Sequence, residues 1–116
     1  MRRMSFSLTE PQLLDGSKTV TRRLGWRTLK PGDELLAVRK CMGLRKGEKQ
    51  HPLARIRVKS VRREPLCRML AGDCAAEGFP LMTPSVFVIF FCGANKCKPE
   101  TEVTRIEFEK LPKESQ

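Results

Sequence analysis

The chain has 116 residues, 40% of them hydrophobic and 31% charged, which excludes a disordered polymer and leaves room for one domain. Its 23 Lys and Arg residues exceed its 13 Asp and Glu residues, so the net charge is +10. Such an excess favours anionic partners, above all nucleic acid, although a basic protein without such a partner has the same total.

The chain opens with a short predicted helix, "SLTEPQLLDG". Thr9 is the candidate N-cap, a proline occupies the first turn, and Gly16 supplies the left-handed residue that ends a helix. "KTVTRRL" then predicts a strand, because it is rich in β-branched side chains. The segment "KPGDE" predicts a turn, with proline and glycine at its corners.

Two further strands are predicted in the middle of the chain. "ELLAVRK" is apolar enough to be buried on much of both faces. "LARIRVKSV", residues 53–61, alternates between two faces, as a half-buried strand does. Its apolar face carries Ala54, Ile56, Val58 and Ser60, and its cationic face carries Arg55, Arg57 and Lys59. The cationic face is either the phosphate-binding wall of a cleft or a solvent-exposed strand surface. The alternation alone does not distinguish these two interpretations.

The last part of the chain predicts helices and a final strand. "PLCRMLAGDCAAEGFP" indicates one helix or two short ones, broken near Gly72 and ended by Gly78 and Pro80. "TPSVFVIFFCGAN" has a threonine cap, a proline in the first turn and a glycine near its end, which favours a buried helix over a strand. "TEVTRIEFEKL" alternates again and predicts a strand.

This order of elements predicts an α+β fold that is mainly β. The strands are too close in sequence for crossover helices, so the sheet is expected to be largely antiparallel. A small β-barrel with helices packed at its ends is the most economical architecture. We expect a single domain over residues 1–111 and a C-terminal tail over residues 112–116.

The cysteines predict free thiols in a reducing, cytoplasmic setting, because their number is odd and no CxxC is present. A zinc site built from four of them is the alternative, but the usual paired short spacings are missing. "MRRMSFSLTE" is too short and polar for a signal peptide, and "VFVIFFC" is too short to span a bilayer. No cofactor or metal is predicted. The five cysteines are Cys41, Cys67, Cys74, Cys92 and Cys97.

Few side chains in this sequence can carry chemistry. The single histidine, His51, lies in a charged loop, and neither a P-loop nor a paired Cys/His motif is present. The segment "GSKTVTRR" places Lys18 on one face of a regular strand and Thr21 and Arg23 on the other. Lys18 can therefore join Thr21 only if the strand begins late or contains a bulge.

The same segment resembles the signature of the ASCH family, a branch of the PUA-like β-barrels. That signature is a glycine, one residue, a lysine, two residues, usually a glutamate, one residue and an arginine. Gly16, Lys18 and Arg23 match it, and Thr21 stands where glutamate is usual. "LKPGDELL", "ARIRVKSVRREPL", "EGFPLMTPSVFVIFFC" and "PETEVTRIEFEKL" resemble further blocks of the family, so the likeness covers nearly the whole chain.

The resemblance implies a basic cleft beside the barrel that binds RNA or a modified nucleotide. The candidate ligand-binding residues are Gly16, Lys18, Arg22, Arg23, Trp26, Arg55, Arg57 and Lys59. Trp26 has two interpretations, since an indole can stack on a base or cover the end of a barrel. Binding of RNA or a nucleotide-like ligand is the first hypothesis for function.

A local similarity to the bacterial acetylcytidine amidohydrolases within this family implies Lys18, Thr21 and Glu77 as a catalytic set. A desolvated lysine can accept the proton of a threonine hydroxyl, and a glutamate can pass a proton to the leaving amine. Arg23 would then hold a developing oxyanion. Glu77 has a structural alternative, because it can also end a helix or pair with Arg22. A ribonuclease that uses Lys18 and Arg23 as phosphate electrophiles is the third hypothesis, so whether the protein is an enzyme stays open.

Overall fold

The computed structural model describes residues 1–40 and 46–113. Over these residues the chain forms a sheet of five strands together with three α-helices and one 3₁₀ turn. In chain order the elements are β1 (Arg3–Ser5), α1 (Glu10–Leu14), β2 (Val20–Arg23), β3 (Glu34–Val38), β4 (Pro52–Pro65), the 3₁₀ turn (Leu66–Arg68), α2 (Ala71–Ala76), α3 (Pro84–Asn95) and β5 (Glu102–Lys110). The predicted α+β class, mainly β, is confirmed.

The sheet has the strand order β1-β3-β4-β5-β2 and is mixed. Three of its pairings are antiparallel, as expected, but β1 pairs with β3 in parallel. Strand β1 was not predicted, because three residues are too few to display an alternating pattern. No ladder among the described residues joins the two edge strands, β1 and β2. Their edges are connected instead by a side chain, since Arg23 Nη2 donates to the Ser5 carbonyl oxygen at 2.7 Å.

The helix boundaries follow the predicted end signals in most places. Gly16, two residues after α1, has φ 83°, the left-handed conformation that glycine adopts without strain. Thr9 precedes α1, but its side chain makes no capping hydrogen bond. Thr83 does cap α3, because its Oγ1 accepts from the Val86 N–H at 3.2 Å. The prediction of two short helices broken near Gly72 is confirmed, with the break at residues 69–70 and Gly72 itself inside α2.

Strand β4 is longer than predicted and contains a bulge. Val58 pairs with Phe108 and Ser60 pairs with Glu107, so Lys59 is the extra residue. The bulge corrects the predicted face of Ser60, whose hydroxyl donates to Glu107 Oε1 at 3.0 Å on the outer side of the sheet. After the bulge, Val61 packs against the core.

Two hydrophobic clusters form the core, and they meet at the site described below. The first lies between the sheet and α1 and includes Phe6, Leu13 and Phe108. The second lies under α2 and α3 and includes Phe87 and Phe91. Helix α3 is buried on one face only, which corrects the expectation of a buried helix, since Ile89 is 72% exposed. No helix within residues 1–40 and 46–113 is long and apolar enough to cross a bilayer.

Candidate functional site

A cavity of about 240 Å³ lies where the two core clusters meet, between β2, the segment that follows β1, and α3. One wall is ionic and hydroxylic and consists of Lys18, Thr21, Arg22, Arg23 and Glu77. A second wall is aromatic and consists of Phe79, Phe87, Phe90 and Phe91. The remaining lining residues are Ser5, Phe6, Ser7, Leu8, Thr9, Ala94 and Asn95.

Lys18 reaches this cavity from the segment that precedes β2. Strand β2 begins at Val20, so Lys18 is not held to the alternation of a ladder. Its backbone N–H donates to the Gln12 carbonyl at 3.1 Å, and the next N–H donates to the Ala76 carbonyl at 2.8 Å. These two bonds tie the segment to the middle of α1 and to the last residue of α2. Lys18 and Arg22 bind the same carboxylate, that of Glu77, so Lys18 lies on the side of Arg22, as regular alternation predicts, although Thr21 lines the same cavity.

The ammonium of Lys18 is paired with Glu77. Its Nζ donates to the Glu77 carbonyl oxygen at 2.7 Å and to Glu77 Oε1 at 3.1 Å. The two residues are only 4% and 3% exposed, respectively. Burial lowers the pKa of Lys18 below its ordinary value, because the charged form loses its hydration. Glu77 opposes this shift, whereas Arg23 and Arg22 add to it.

Glu77 also binds Arg22, so its two carboxylate oxygens hold two different cations. It follows the last residue of α2, and its Oε2 accepts from Arg22 Nη1 at 3.0 Å. The Arg22 side chain is completely buried and lies within ion-pair distance of Asp73 and Glu64, at 3.2 and 3.8 Å. Arg22 Nε and Nη2 have no hydrogen-bond partner in the described part of the chain. The Arg22 guanidinium is therefore stabilised more by ion pairing with the carboxylates than by hydrogen bonds.

Thr21 and Arg23 lie on one face of β2, as strand alternation requires. Arg23 Nε donates to Thr21 Oγ1 at 3.0 Å, and its guanidinium carbon lies 4.9 Å from the centre of the Phe6 ring. Among the described residues, no hydrogen bond joins Thr21 Oγ1 to Lys18 or Glu77. Lys18, Thr21 and Glu77 thus share a cavity wall, but only Lys18 and Glu77 are in direct contact.

The other candidate residues lie away from the cavity. Gly16 is exposed in its turn, and half-buried Trp26 packs against the first core cluster with the Arg2 guanidinium 5.8 Å from its ring centre. This position agrees with a tryptophan that covers the end of the sheet. The cationic row of β4 also faces elsewhere: Arg55 and Arg57 lie 3.5 and 3.6 Å from Glu34, and Lys59 is exposed at the bulge.

This architecture is similar to those of several solved structures. An ASCH domain from Lactobacillus crispatus JV V101 superimposes with a TM-score of 0.63 at 15% identity, over 94% of this chain and 78% of that one. The chain has an ASCH-type fold. A DUF984 protein from Enterococcus faecalis V583 matches with a TM-score of 0.65 at 18% identity, over 95% of this chain and 79% of that one.

A third solved structure matches this chain at a similar level. The hypothetical protein PH0355 has a TM-score of 0.65 at 19% identity, and the match covers 95% of this chain and 96% of that one. No protein-family model and no curated protein matches the sequence. Identities this low establish the ASCH-type fold and nothing more specific. The resemblance drawn from the sequence motifs is therefore confirmed at the level of fold.

The aromatic wall is the part of the site that sequence reasoning missed. The sequence predicts "VFVIFFC" only as part of a buried helix, and helical spacing also places Phe87, Phe90 and Phe91 on one face of it. In this ASCH-type fold that face lines the cavity as well as the core. The signal in the sequence that could have predicted this wall is the helical spacing of the phenylalanines, together with the polar residues of β2.

The four cysteines that the structure describes lie outside the cavity lining. Cys67 is exposed, Cys74 is buried, and Cys92 and Cys97 are half-buried, all four as free thiols. Cys41 falls outside the described residues. No group of three or more His, Cys, Asp or Glu side chains suited to a metal ion is found within the described ranges.

Proposed function

We propose that this protein binds a single nucleotide unit, free or as part of RNA, in the cavity between β2 and α3. The observation that carries the proposal is that the ionic and hydroxylic wall, with Arg23 on it, faces the aromatic wall across a cavity of about 240 Å³. This volume is slightly below the roughly 300–1,000 Å³ of pockets that take drug-sized ligands, which suits one base and its sugar. Every base has a π-face that stacks on an aromatic ring, and cations attract the phosphate.

We also infer that the sheet curls into a PUA-like barrel whose seam lies between β1 and β2. The hydrogen bond from Arg23 to the Ser5 carbonyl supports this inference, because it spans the two edge strands. The ligand would then enter at the seam, where the backbone of β1 and the side chains of β2 are both within reach. The net charge of +10 supports an anionic ligand independently of the seam.

A salt titration with matched variants tests the binding proposal. Labelled single-stranded RNA is titrated at several salt concentrations, and contact with Z phosphates gives a log–log slope of about −0.7Z. Arg23→Gln removes a cavity cation and should weaken binding and flatten the slope. Arg57→Gln removes a cation of the β4 row, which is paired with Glu34 and Glu109, and should leave binding unchanged. Equal losses in both variants would mean non-specific attraction to a basic surface, and a salt-independent affinity would also reject the proposal.

A small amidohydrolase that acts on N-acylated cytidine is the second candidate, and the buried Lys18–Glu77 pair favours it. A binding module gains little from burying an ammonium, whereas a lowered lysine pKa suits proton transfer. Lys18 uses two of its three N–H donors on Glu77 in this arrangement. A rotation about the lysine side chain is needed to bring Nζ to the Thr21 hydroxyl.

The proposed reaction is acyl transfer followed by hydrolysis. In its deprotonated form, Lys18 takes the Thr21 hydroxyl proton as Oγ1 attacks the acyl carbonyl, and Arg23 stabilises the negative charge that develops on oxygen. The bond from the acyl carbon to nitrogen breaks, and Glu77 passes the proton that Lys18 took from Thr21 to the departing cytidine amine. Water then attacks the threonine ester, which releases the carboxylic acid and restores the hydroxyl.

Neighbouring threonines provide a matched test of this second candidate. Thr21→Val removes the hydroxyl on the cavity wall, whereas Thr19→Val removes an exposed hydroxyl two residues earlier. Release of cytidine from N-acetylcytidine, followed by chromatography, should be lost in Thr21→Val and in Lys18→Met but kept in Thr19→Val. Turnover that survives both cavity substitutions rejects the hydrolase. If the native chain binds RNA or a nucleotide but does not release cytidine from N-acetylcytidine, the protein is a binding module and not this hydrolase.

A further inference from the structure

We propose that Cys92 and Cys97 form a reversible intramolecular disulfide, which makes the C-terminal end of α3 a thiol-oxidation site. Their sulfur atoms lie 3.8 Å apart, and both side chains are half-buried free thiols. A disulfide holds its sulfurs about 2.05 Å apart, so the two atoms need to approach by only about 1.8 Å. Of the cysteines that the structure describes, this is the one pair whose sulfurs are in contact.

The backbone at the end of α3 brings the two side chains together. Lys96 adopts the left-handed conformation with φ 53°, and the Cys97 N–H donates to the Cys92 carbonyl at 3.2 Å. This 6→1 bond is that of a Schellman motif, in which the two residues it joins frequently make a hydrophobic contact. Here both residues are thiols. Because the backbone already supports the contact, oxidation requires side-chain rotation and little backbone movement.

Packing alone is the simpler explanation of the pair, since both residues pack against the second core cluster. The remaining described cysteines fit that explanation or simple exposure: Cys74 is buried within the cluster, and Cys67 is exposed. Cys92 and Cys97 differ because each thiol has a second thiol as its neighbour. Two apolar residues would pack equally well there and could not be oxidised.

The reaction is thiol–disulfide exchange with a small disulfide such as oxidised glutathione. The Cys97 thiolate attacks one sulfur of the reagent, which forms a mixed disulfide and releases one glutathione thiolate. The Cys92 thiolate then attacks the Cys97 sulfur, which forms the internal bond and releases the second. Two protein thiols are oxidised and one glutathione disulfide is reduced, and the two protons pass to the released thiolates. Burial and the contact with Cys97 raise the pKa of Cys92, so the first attack is assigned to Cys97.

The bond would act on the end of the helix that lines the cavity. Phe91, Ala94 and Asn95 belong to this last stretch of α3, and the Asn95 amide already donates to the Phe91 carbonyl at 3.0 Å. A covalent link from Cys92 to Cys97 closes this stretch into a ring and suppresses its fraying. In a reducing compartment such a bond forms transiently and serves as a redox signal rather than as a permanent staple.

Peptide mapping tests the proposal on the full chain. Reduced protein is incubated in glutathione buffers of increasing oxidised fraction, quenched with acid and digested with trypsin. Cleavage after Lys96 separates the two cysteines, so the bond appears as peptides 69–96 and 97–105 linked together and released by reduction. Because peptide 69–96 also contains Cys74, the experiment is repeated in the Cys74→Ser variant. We expect the linked peptides, with the loss of two hydrogens in mass, in the native chain, in Cys74→Ser and in Cys67→Ser.

Two results would overturn the proposal. One is obtained by incubation in fully oxidised glutathione. There, Cys97 would either stay reduced or form a stable adduct with glutathione while Cys92 stays reduced. The other comes from amide hydrogen exchange, which should slow at residues 93–97 on oxidation of the native chain. Cys92→Val keeps the packing and removes the thiol, so it should show no such slowing. Slowing of equal size in Cys92→Val would show that the bond is not its cause.

Discussion

Lys18 Nζ lies 3.1 Å from Glu77 Oε1, and both side chains are almost completely withdrawn from water. The opposite oxygen of the same carboxylate lies 3.0 Å from Arg22 Nη1, so one buried anion joins two buried cations. A buried ion pair recovers its desolvation cost only when its geometry is good and further hydrogen bonds support it. Glu77 supplies such support twice, since its backbone carbonyl also accepts from Lys18.

The first prediction concerns the pKa of Lys18. Burial lowers this pKa, and Glu77 is the group that opposes the shift. Glu77→Gln removes the negative charge and keeps the shape of the side chain, so the pKa of Lys18 should fall further. The titration is followed by NMR of the lysine side chains. Glu109→Gln, which removes an exposed carboxylate paired with Arg57, should leave it unchanged. A Lys18 pKa that rises in Glu77→Gln would contradict the assigned electrostatics.

The second prediction is the pH dependence of stability that follows from the same shift. The pKa of Lys18 is lower in the folded chain than in the unfolded one, so between the two values the unfolded chain binds more protons. The free energy of unfolding contributed by this residue therefore rises with pH across that window and is lost as pH falls through the folded pKa. Urea denaturation at a series of pH values below 10.5, the ordinary value of the lysine pKa, should show this slope in the native chain and not in Lys18→Met. An identical pH profile in the two proteins would refute the linkage.

The third prediction compares two arginines that pair with the same glutamate. Arg22 is completely buried beside Glu77, Asp73 and Glu64, whereas the side chain of Arg62 is 61% exposed and lies 2.6 Å from Glu64. Arg22→Met strands buried carboxylates and should lower the free energy of unfolding by about 3–5 kcal/mol. Arg62→Met removes a surface ion pair and should cost about 0–1 kcal/mol. Urea denaturation measures both, and losses of similar size would mean that the Arg22 network is not the buried element described.

Local patterns in the sequence predicted the elements well, because they depend on neighbours along the chain. The alternation of β5, the proline and threonine that begin α3, and the glycine after α1 are all of this kind. The β4 bulge could not be predicted, since Lys59 becomes the extra residue only through the register that β5 imposes. Strand β1 could not be predicted either, because its three residues are strand only by pairing with β3.

The site was predicted unevenly for the same physical reason. The motif placed Lys18 and Arg23, but the motif could not give the contact between Lys18 and Glu77, which are 59 residues apart. The cationic row of β4 was a reasonable candidate from alternation, yet its partners Glu34 and Glu109 come from the neighbouring strands. Charge on a strand face acquires a meaning only when the strands beside it are known. The domain boundary at residue 111 stays a prediction.

The fourth prediction concerns the cap of α3, the helix that provides the aromatic wall. Thr83 Oγ1 accepts from the Val86 N–H, and loss of such a cap typically costs about 1 kcal/mol. Thr83→Ala should lower the midpoint of urea denaturation without changing the slope. Thr28→Ala, at an exposed loop position, serves as the control and should change neither. Equal stability of the two variants would show that the cap contributes nothing.

The fifth prediction separates the aromatic wall from the rest of α3 by using two adjacent residues. Phe90 lines the cavity and lies against Phe79 with ring centres 5.5 Å apart, whereas Ile89 is 72% exposed on the solvent side. Stacking of a base on an aromatic side chain is worth about 1–3 kcal/mol, so Phe90→Ala should weaken RNA or nucleotide binding by roughly 5- to 150-fold. Ile89→Ala should leave the affinity unchanged, since Ile89 is exposed and is not among the residues that line the cavity. Titrations of both variants, with circular dichroism to verify that α3 persists, decide the matter. The two substitutions lie on the same turn of one helix, so a general destabilisation of α3 would reduce the affinity of both variants. A loss of affinity in Phe90→Ala alone is expected only if the Phe90 ring stacks on the ligand.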